Sequence, residues 1–311
     1  MNSYYQSLNV DGRFYLREKL GYGSFGEIHI AEDKITKKRV AVKVEVCLSP
    51  THRLITEKEV YECLNSSNDE SMVPKAIWFG TLRSYKALVM ELMGPSLETL
   101  FRLCDRTLSF NTIAYLGIQM LSCLEFLHCH SYLHRDVKPS NFVMGVGINC
   151  NNVYLIDFDV AKKYRDERGN HIAYEEQKDF VGNAKFASLR TFLQQGLSRA
   201  DDLESLAYIL FYFLMKDLPW QEGDRNNRQK MIDLRLRLTD IYPSVPSEFK
   251  RFLSVCRTMH FDEEPNYVKL ECLIWNRETV LHKPVFEWSN LSSEKMKLIE
   301  SGKFEADFSD Y

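Results

Sequence analysis

The chain has 311 residues, of which 45% are hydrophobic and 27% are charged, and its formal net charge is −3. This length allows a large buried core that is divided between two lobes or domains. The mildly negative charge argues against a protein that binds nucleic acid or anionic membranes through its overall charge.

Cysteine usage and the apolar segments indicate an intracellular protein. None of the eight cysteines forms a Cys-x-x-Cys pair, which argues against zinc-ribbon and thioredoxin-like sites, and several lie in apolar runs as buried, reduced thiols do. The N-terminal MNSYYQSLNVDGR lacks the features of a signal peptide. The longest apolar stretch, residues 203–215, is shorter than the roughly 20 residues that span a bilayer. We expect cytoplasmic or nuclear residence, or both.

Strand patterns dominate the first part of the chain. Alternating apolar residues and β-branched runs predict strands at 14–20, 27–30, 40–46, 76–79 and 86–91. Between the third and fourth of these, Ser49-Pro50 opens a helical pattern that continues to residue 64. The sequence therefore predicts a small β-rich lobe with one helix.

Helical patterns dominate the rest. The period changes to 3.6 from residue 109 onward and predicts long apolar helices at 111–130 and 203–215. A short buried strand at 153–156 ends on the sequence Asp157-Phe158-Asp159. The Gly-Pro break in ELMGPS, residues 91–96, marks the junction. We predict an α+β fold with a small β-rich N-lobe and a larger α-helical C-lobe.

The glycine-rich stretch GYGSFGEI, residues 21–28, lies between two predicted strands. Without Cβ atoms, its backbone N–H groups could approach a phosphate. The same spacing before a helix would indicate a dinucleotide fold, and a plain hairpin turn fits about as well. Lys43 follows one hairpin later, within AVKVE. A strand lysine usually belongs to a solvated face, so its position after the glycine loop is the informative feature.

Glu57 is the predicted partner of Lys43. It shares a helical stripe with Leu54, Tyr61 and Leu64. A carboxylate on an apolar face costs several kcal/mol unless it is paired, which favours an ion pair with Lys43. The alternative is a rotated helix in which Glu59 faces inward.

The segment YLHRDVKPSNF, residues 132–142, brings an acid, a cation and an amide together. Pro139 forbids a continuing helix, so a loop must project Asp136, Lys138 and Asn141. This set suits phosphoryl transfer, in which a carboxylate orients a hydroxyl, a lysine meets phosphate charge and an amide oxygen binds magnesium. The alternative is a structural loop with internal hydrogen bonds.

Asp157 follows that loop at the end of the next strand and is a candidate magnesium ligand. The order of glycine loop, strand lysine, helix glutamate, His-Arg-Asp loop and Asp-Phe resembles the signature of protein kinases. The strand-loop-strand setting of the glycines excludes a nucleotide-binding dehydrogenase.

Further segments of the chain narrow the resemblance from protein kinases in general to one family of them. They are MELMGPSLETLF (90–101), HRDVKPSNFVMG (134–145), AKKYRD (161–166), HIAYEEQKDFVGNAKFAS (171–188), DDLESLAYILFYF (201–213) and LPWQ (218–221). Over residues 13–288 the chain resembles the casein kinase I family of serine/threonine kinases. The expected domains are an N-terminal extension at 1–12, a bilobal kinase domain at 13–288 with lobes at 13–93 and 94–288, and a tail at 289–311.

The resemblance implies a role for each matching residue. The implied nucleotide-binding residues are Gly21, Gly23, Ser24, Gly26, Ile28, Ala41, Lys43, Glu57, the gatekeeper Met90, Glu91 and Met93. Asp136 would be the catalytic base, Lys138 would steady the transferring phosphoryl group, and Asn141 with Asp157 would hold the metal. Asp202 would anchor the catalytic loop, with a plain helix N-cap as its alternative role.

The resemblance also implies ligands and partners. The expected cofactors are ATP and Mg²⁺, with Mn²⁺ as the alternative metal. The substrates would be proteins with acidic or phosphorylated residues near the target Ser or Thr, and the chain would act as a monomer without a membrane or direct nucleic-acid role. An anion site would comprise Lys178, Lys185 and Lys230. Family members usually carry arginine in place of Lys185, and lysine lacks a fork for phosphate, so we expect weaker recognition. Each lysine could instead be a solvated surface group.

The main departure is Asp159, because the family pattern is Asp-Phe-Gly. Glycine tolerates backbone angles that cost other residues about 1 kcal/mol or more, and a second carboxylate near a metal adds negative charge. Asn183 also departs, since the family has threonine there. We expect an active kinase with altered metal dependence or an altered activation segment. The alternative is a pseudokinase scaffold that binds nucleotide or partners without efficient phosphoryl transfer.

Overall fold

A computed structural model describes residues 9–23, 26–47, 53–66, 71–82, 84–177, 179–220, 227–274 and 284–292. The chain folds into two compact units. The first contains the described residues up to Pro95 together with Val143–Asp159, and the second contains Ser96–Phe142 and Val160–Leu291. The domain limits expected from the sequence remain predictions.

The first unit is built on an antiparallel sheet of six strands. They are β1 (Asn9–Val10), β2 (Phe14–Gly23), β3 (Gly26–Asp33), β4 (Arg39–Val46), β5 (Ala76–Leu82) and β6 (Tyr85–Glu91), and their order in the sheet is β1-β2-β3-β4-β6-β5. Each strand predicted in this region is confirmed, and several are longer than the apolar pattern indicated. Val42 and Val44 of β4 belong to a core on one face of the sheet. Because strand side chains alternate, Ala41 and Lys43 face the other way.

Helix α1 (Arg53–Asn65) belongs to the same unit. Its buried residues are Leu54, Glu57, Val60, Tyr61 and Leu64, and Glu59 is exposed. The predicted helical face is therefore confirmed, and the rotated alternative is wrong. The predicted start at Ser49 lies outside the described residues.

The second unit is mainly helical and confirms the predicted fold class. Its elements are α2 (Leu97–Leu103), α3 (Phe110–Cys129), β7 (Tyr132–Leu133), β10 (Lys162–Lys163), α4 (Leu189–Phe192), α5 (Arg199–Met215), α6 (Arg228–Leu236), α7 (Leu238–Ile241), α8 (Ser247–Thr258) and α9 (Tyr267–Ile274). In α5 every residue from Arg199 to Phe213 is buried. A helix that is covered on all sides forms the core of its unit.

Between β7 and β10 in the chain lie two short paired strands, β8 (Phe142–Met144) and β9 (Val153–Leu155). Leu155 N–H donates to the carbonyl of Met72 at 2.9 Å, which ties β9 to the first unit. The predicted strand at 153–156 thus ends one residue early and delivers Asp157 and Phe158 just beyond it.

Helix α3 is the other long core helix. By length and composition it could cross a membrane, but 56% of its apolar window is buried inside the protein, as in a core helix. All eight cysteines are free. Cys123 and Cys256 are buried, as predicted, whereas Cys129, Cys150 and Cys272 are exposed.

Candidate active site

A buried ion cluster lies in the first unit around Lys43. Its Nζ donates to Glu57 Oε2 at 2.7 Å and to Asp157 Oδ1 at 2.6 Å. The side chains of Lys43 and Glu57 are 8% and 1% exposed. Strand β4 supplies the lysine, helix α1 the glutamate and the end of β9 the aspartate, so the sequence prediction that Glu57 pairs with Lys43 is confirmed.

Electrostatics keep the ammonium of this cluster charged. Burial acts to lower the pKa of Lys43, but the charges of Asp157 and Glu57 outweigh it and raise the pKa well above its usual range. Burial raises the pKa of Glu57, and the charge of Lys43 opposes this rise. The cluster therefore favours the charged form of Lys43, which lies between Glu57 and Asp157.

The register of the sheet places other predicted nucleotide-binding residues on the face of Lys43. Ile28 lies opposite Lys43, and Ala41 lies opposite Met90. Directly opposed residues share one face of a sheet, as do residues two apart on a strand. These four side chains therefore form one surface.

The glycine loop joins β2 and β3, with Gly23 opposite Gly26 and Gly21 opposite Ile28. A Cβ on Gly26 would lie 2.0 Å from the carbonyl oxygen of Val44. Close approach to β4 therefore requires glycine here, in addition to any need to admit a phosphate. The predicted site residue Ser24 lies outside the described residues.

The segment predicted to hold adenine begins at Glu91, the last residue of β6. The N–H of Glu91 donates to the carbonyl of Lys75 at 3.0 Å. Glu91 could therefore contribute its carbonyl oxygen to a purine, whereas its N–H is already used. Met93 lies two residues further on, in the non-helical segment before α2.

The Asp-Phe pair has a distinctive backbone. Asp157 has φ 69°, in the left-handed region, which aspartate tolerates better than most residues. Phe158 is fully buried and its ring meets Tyr61 of α1 edge-on at 5.0 Å between centroids. The packed phenylalanine fixes the carboxylate of Asp157 toward Lys43.

The backbone at Asp159 does not adopt the positive φ that would favour glycine at this position. The described non-glycine residues with positive φ include Asp157 but not Asp159, so the predicted backbone cost at this position was wrong. The Asp159 side chain is 4% exposed and its Oδ2 lies 3.7 Å from Nη1 of Arg53. Its charge thus faces a cation on α1.

In the second unit, Asp202 holds the loop at His134 and Arg135, which is part of the predicted catalytic segment 132–142. Its carboxylate accepts hydrogen bonds from the N–H groups of His134 and Arg135 at 2.8 and 2.9 Å, and His128 Nε2 lies 3.0 Å away. The predicted anchoring contacts are therefore present. The alternative N-cap role is wrong, because the cap of α5 is Ser198 in a capping box with Asp201.

Asp136 lies at the centre of a dense network. Lys138 Nζ donates to its Oδ2 at 2.7 Å, and Asn141 Nδ2 donates to its carbonyl oxygen at 2.9 Å. The N–H of Asn183 donates to its Oδ1 at 2.6 Å. The loop thus brings the predicted acid, lysine and amide together, and a backbone donor that the sequence analysis missed completes the set.

Gly182 explains how that donor reaches Asp136. It has φ +85°, and a Cβ there would lie 2.3 Å from the carbonyl oxygen of Arg135. A side chain would push the segment at Gly182 and Asn183 away from the loop that contains Arg135 and Asp136. Gly182 itself was a visible signal in the sequence, because glycine allows the backbone to approach another segment closely.

The two residues predicted to bind metal each offer an oxygen of the kind that a divalent cation prefers. In the second unit, Asn141 uses its Nδ2 as a donor to Asp136, which leaves its amide oxygen as a possible ligand, and in the first unit Asp157 offers a carboxylate. Among the described residues no group of three or more Asp, Glu, His or Cys side chains could hold a metal. Magnesium sites built from few protein ligands rely on nucleotide phosphates for the remainder.

The predicted anion site is only partly described, because Lys178 lies outside the described residues. Lys185 Nζ lies 2.9 Å from Asp217 Oδ1 and 4.5 Å from the ring centroid of Tyr212. Lys230 lies exposed in the first turn of α6. An acid on the protein itself thus engages one of the two described lysines.

Arg235 supports the backbone at Lys185 and was also missed. Its guanidinium donates to the carbonyls of Ala187 at 3.0 Å and Ala184 at 2.8 Å and stacks 4.1 Å from the rings of Phe192 and Trp220. It lies one turn after Met231 on the buried side of α6. The same reasoning that identified Glu57, a charge on an apolar stripe, would have found it.

The family model of the protein kinase domain matches residues 14–275 of the chain. The match includes both the ion cluster around Lys43 and the network around Asp136. Protein kinases use ATP and a divalent metal.

Proposed function

The chain belongs to the protein kinase family, and we propose that it is an active serine/threonine kinase of the casein kinase I type. It transfers the γ-phosphate of ATP to serine or threonine hydroxyls of proteins. The observation that carries this proposal is the ion cluster, in which Lys43 contacts Glu57 at 2.7 Å and Asp157 at 2.6 Å. A protein kinase requires both the lysine–glutamate pair and the metal-binding aspartate in place for transfer.

The residues of the first unit bind and orient the nucleotide. Lys43 offers its charge to the phosphates, and Glu57 holds the lysine side chain in one position. The resemblance implies Asp157 and Asn141 as the residues that would hold Mg²⁺ or Mn²⁺. A bound divalent ion neutralises phosphate charge and polarises the bond that breaks.

Asp136 acts on the incoming hydroxyl. The substrate oxygen forms a bond to the γ-phosphorus while the bond from that phosphorus to the bridging oxygen breaks, so ADP leaves with the electron pair. Asp136 accepts the hydroxyl proton. Lys138, 2.7 Å from its Oδ2, offers positive charge to the transferring group.

Substrate choice follows from the resemblance and from the lysines. Lys138, two residues after Asp136, is typical of serine/threonine rather than tyrosine kinases, in keeping with the casein kinase I segments. Lys185 and Lys230 would favour targets with acidic or phosphorylated residues nearby. We further propose that the chain acts as a monomer in the cytoplasm, the nucleus or both.

A peptide-array phosphorylation profile tests this function. The natural protein and Asp136→Asn would be incubated with labelled ATP and either Mg²⁺ or Mn²⁺. We expect labelling of Ser and Thr peptides, enriched for acidic neighbours, by the natural protein alone. Equal background labelling by the two proteins would overturn the proposal and favour a pseudokinase scaffold, the alternative suggested by Asp159.

A further inference from the structure

Three consecutive residues after β9 are connected to one stripe of helix α1. Asp157 shares Lys43 with Glu57, Phe158 packs on Tyr61, and Asp159 faces Arg53. The helix residues 53, 57 and 61 are spaced by four and therefore lie on the same side of α1. The segment and the helix thus form one contact surface within the first unit.

Asp159 extends this surface by one helical turn. Its side chain is 4% exposed, whereas that of Arg53 is 29% exposed. A carboxylate taken out of water needs an opposite charge. The first residue of α1 supplies one, in addition to Lys43, whose pKa the charge of Asp159 helps to raise. A glycine at position 159 would leave the start of α1 without this contact.

The backbone shows that aspartate fits position 159 without strain. Among the described residues, positive φ values in this segment occur at Asp157 only. The substitution therefore adds a charged side chain and does not force a left-handed conformation on a residue that disfavours it.

We propose that Asp159 is a positioning residue that, through Arg53, holds helix α1 in the arrangement in which Glu57 reaches Lys43. The effect on catalysis rests on the proposed kinase function, whereas the effect on the helix does not. Asp159 acts through α1 and not as a metal ligand.

The test uses the 311-residue chain with the substitutions Arg53→Gln, Arg53→Lys or Asp159→Asn, and the Arg53→Gln/Asp159→Asn double variant. Hydrogen–deuterium exchange of α1 is measured without nucleotide, together with kcat and the KM for ATP. We expect Arg53→Gln and Asp159→Asn each to speed α1 exchange several-fold and to lower kcat about threefold to tenfold. The double variant should resemble either single one, because contacting residues are not additive. Arg53→Lys should retain natural exchange.

The matched control is Glu62→Gln, which removes an exposed ion pair of the same helix, between Lys58 and Glu62, and should change neither readout. Unchanged α1 exchange in Arg53→Gln would overturn the proposal. A shift in the Mg²⁺ concentration for half-maximal rate in Asp159→Asn alone would also overturn it, in favour of a metal ligand.

Two further outcomes are decisive. Should Asp159→Asn fail to fold, as judged by circular dichroism, the comparison of Arg53→Gln with Arg53→Lys decides, since Arg53 is partly exposed. An inactive natural protein would overturn the proposed kinase function, and the exchange data would still judge the positioning role.

Discussion

Lys43 Nζ lies 2.6 Å from Asp157 Oδ1, although 114 residues separate the two in sequence. The same ammonium donates to Glu57, so a single buried cation joins two carboxylates from different elements. Removing Lys43 leaves both carboxylates without a cation, whereas removing either carboxylate leaves Lys43 paired with the other alone. Stability and activity should therefore depend on the cluster as a unit.

The first prediction concerns Lys43→Met. It leaves the buried carboxylate of Glu57 beside that of Asp157 without a cation, which should destabilise the first unit by about 3–5 kcal/mol. Lys43→Met/Glu57→Leu should recover part of this loss, because no buried glutamate then lacks a partner. Urea unfolding at neutral pH measures both. Equal stability of Lys43→Met and the natural protein would contradict the role of the cluster.

The second prediction concerns Gly182→Ala. The new Cβ would meet the carbonyl oxygen of Arg135 and should break the bond from Asn183 N–H to Asp136. We expect kcat to fall on the order of 100-fold, the lower range for loss of a positioned general base. Steady-state kinetics and circular dichroism measure the effect, and Gly169→Ala is the control. Gly169 also has positive φ, but no atom lies within 4 Å of the position that a Cβ would take. Gly169→Ala should therefore cost only the backbone strain of a non-glycine residue at positive φ, and kcat should not change.

The third prediction concerns substrate priming. Asp217 engages Lys185 at 2.9 Å and is 47% exposed, so in the proposed anion site a substrate phosphate would compete with it. An exposed pair contributes up to about 1 kcal/mol, and Asp217→Asn should lower the KM for a phosphorylated peptide by up to about fivefold. The KM for the unphosphorylated peptide should not change. The gain should vanish in Asp217→Asn/Lys185→Met, and its persistence there would place the phosphate elsewhere.

The fourth prediction concerns pH. Burial lowers the pKa of His128, and Asp202 opposes this shift. Because a carboxylate accepts only, Nε2–H donates to Asp202 and Nδ1 accepts from Tyr267, 2.7 Å away. Below the ordinary histidine pKa near 6.5 the unfolded chain binds a proton that the folded chain resists, so stability falls as pH falls.

This contribution has a slope of at most about 1.4 kcal/mol per pH unit. Urea unfolding of the natural protein and His128→Gln between pH 5 and pH 8 measures it. The variant should be less stable at pH 8 and should show a shallower loss toward pH 5. Parallel pH profiles of stability for the two proteins would show that His128 does not cause the loss of stability at low pH.

The sequence predicted local features well where residue periodicity, or the free-energy cost of burying a charge, determines the structure. Helical spacing predicts that Glu57 faces inward. Its pairing with Lys43 follows from the free-energy cost of burying an unpaired carboxylate. The strands around GYGSFG and the loop at Asp136 follow from alternation and from Pro139. In each case one short segment contains the decisive signal.

Features that depend on two distant segments were not predicted. The family pattern has glycine at position 159, and the sequence does not show that the left-handed residue of this segment is Asp157. The contacts of Asp159 with Arg53 and of Lys185 with Asp217 join segments whose relative placement is set by the folded units. The N–H of Asn183 is a backbone group, so the sequence offered only the neighbouring Gly182 as a signal for its contact with Asp136.

The most direct test of the central claim is single-turnover transfer of the γ-phosphate from ATP to a serine peptide by the natural protein and by Asp157→Asn. The variant keeps the shape of the side chain but removes the charge that faces Lys43 and would bind the metal. We predict rapid transfer by the natural protein and a rate lower by on the order of 1,000-fold in the variant. Equal rates, or no transfer by either protein, would contradict the account.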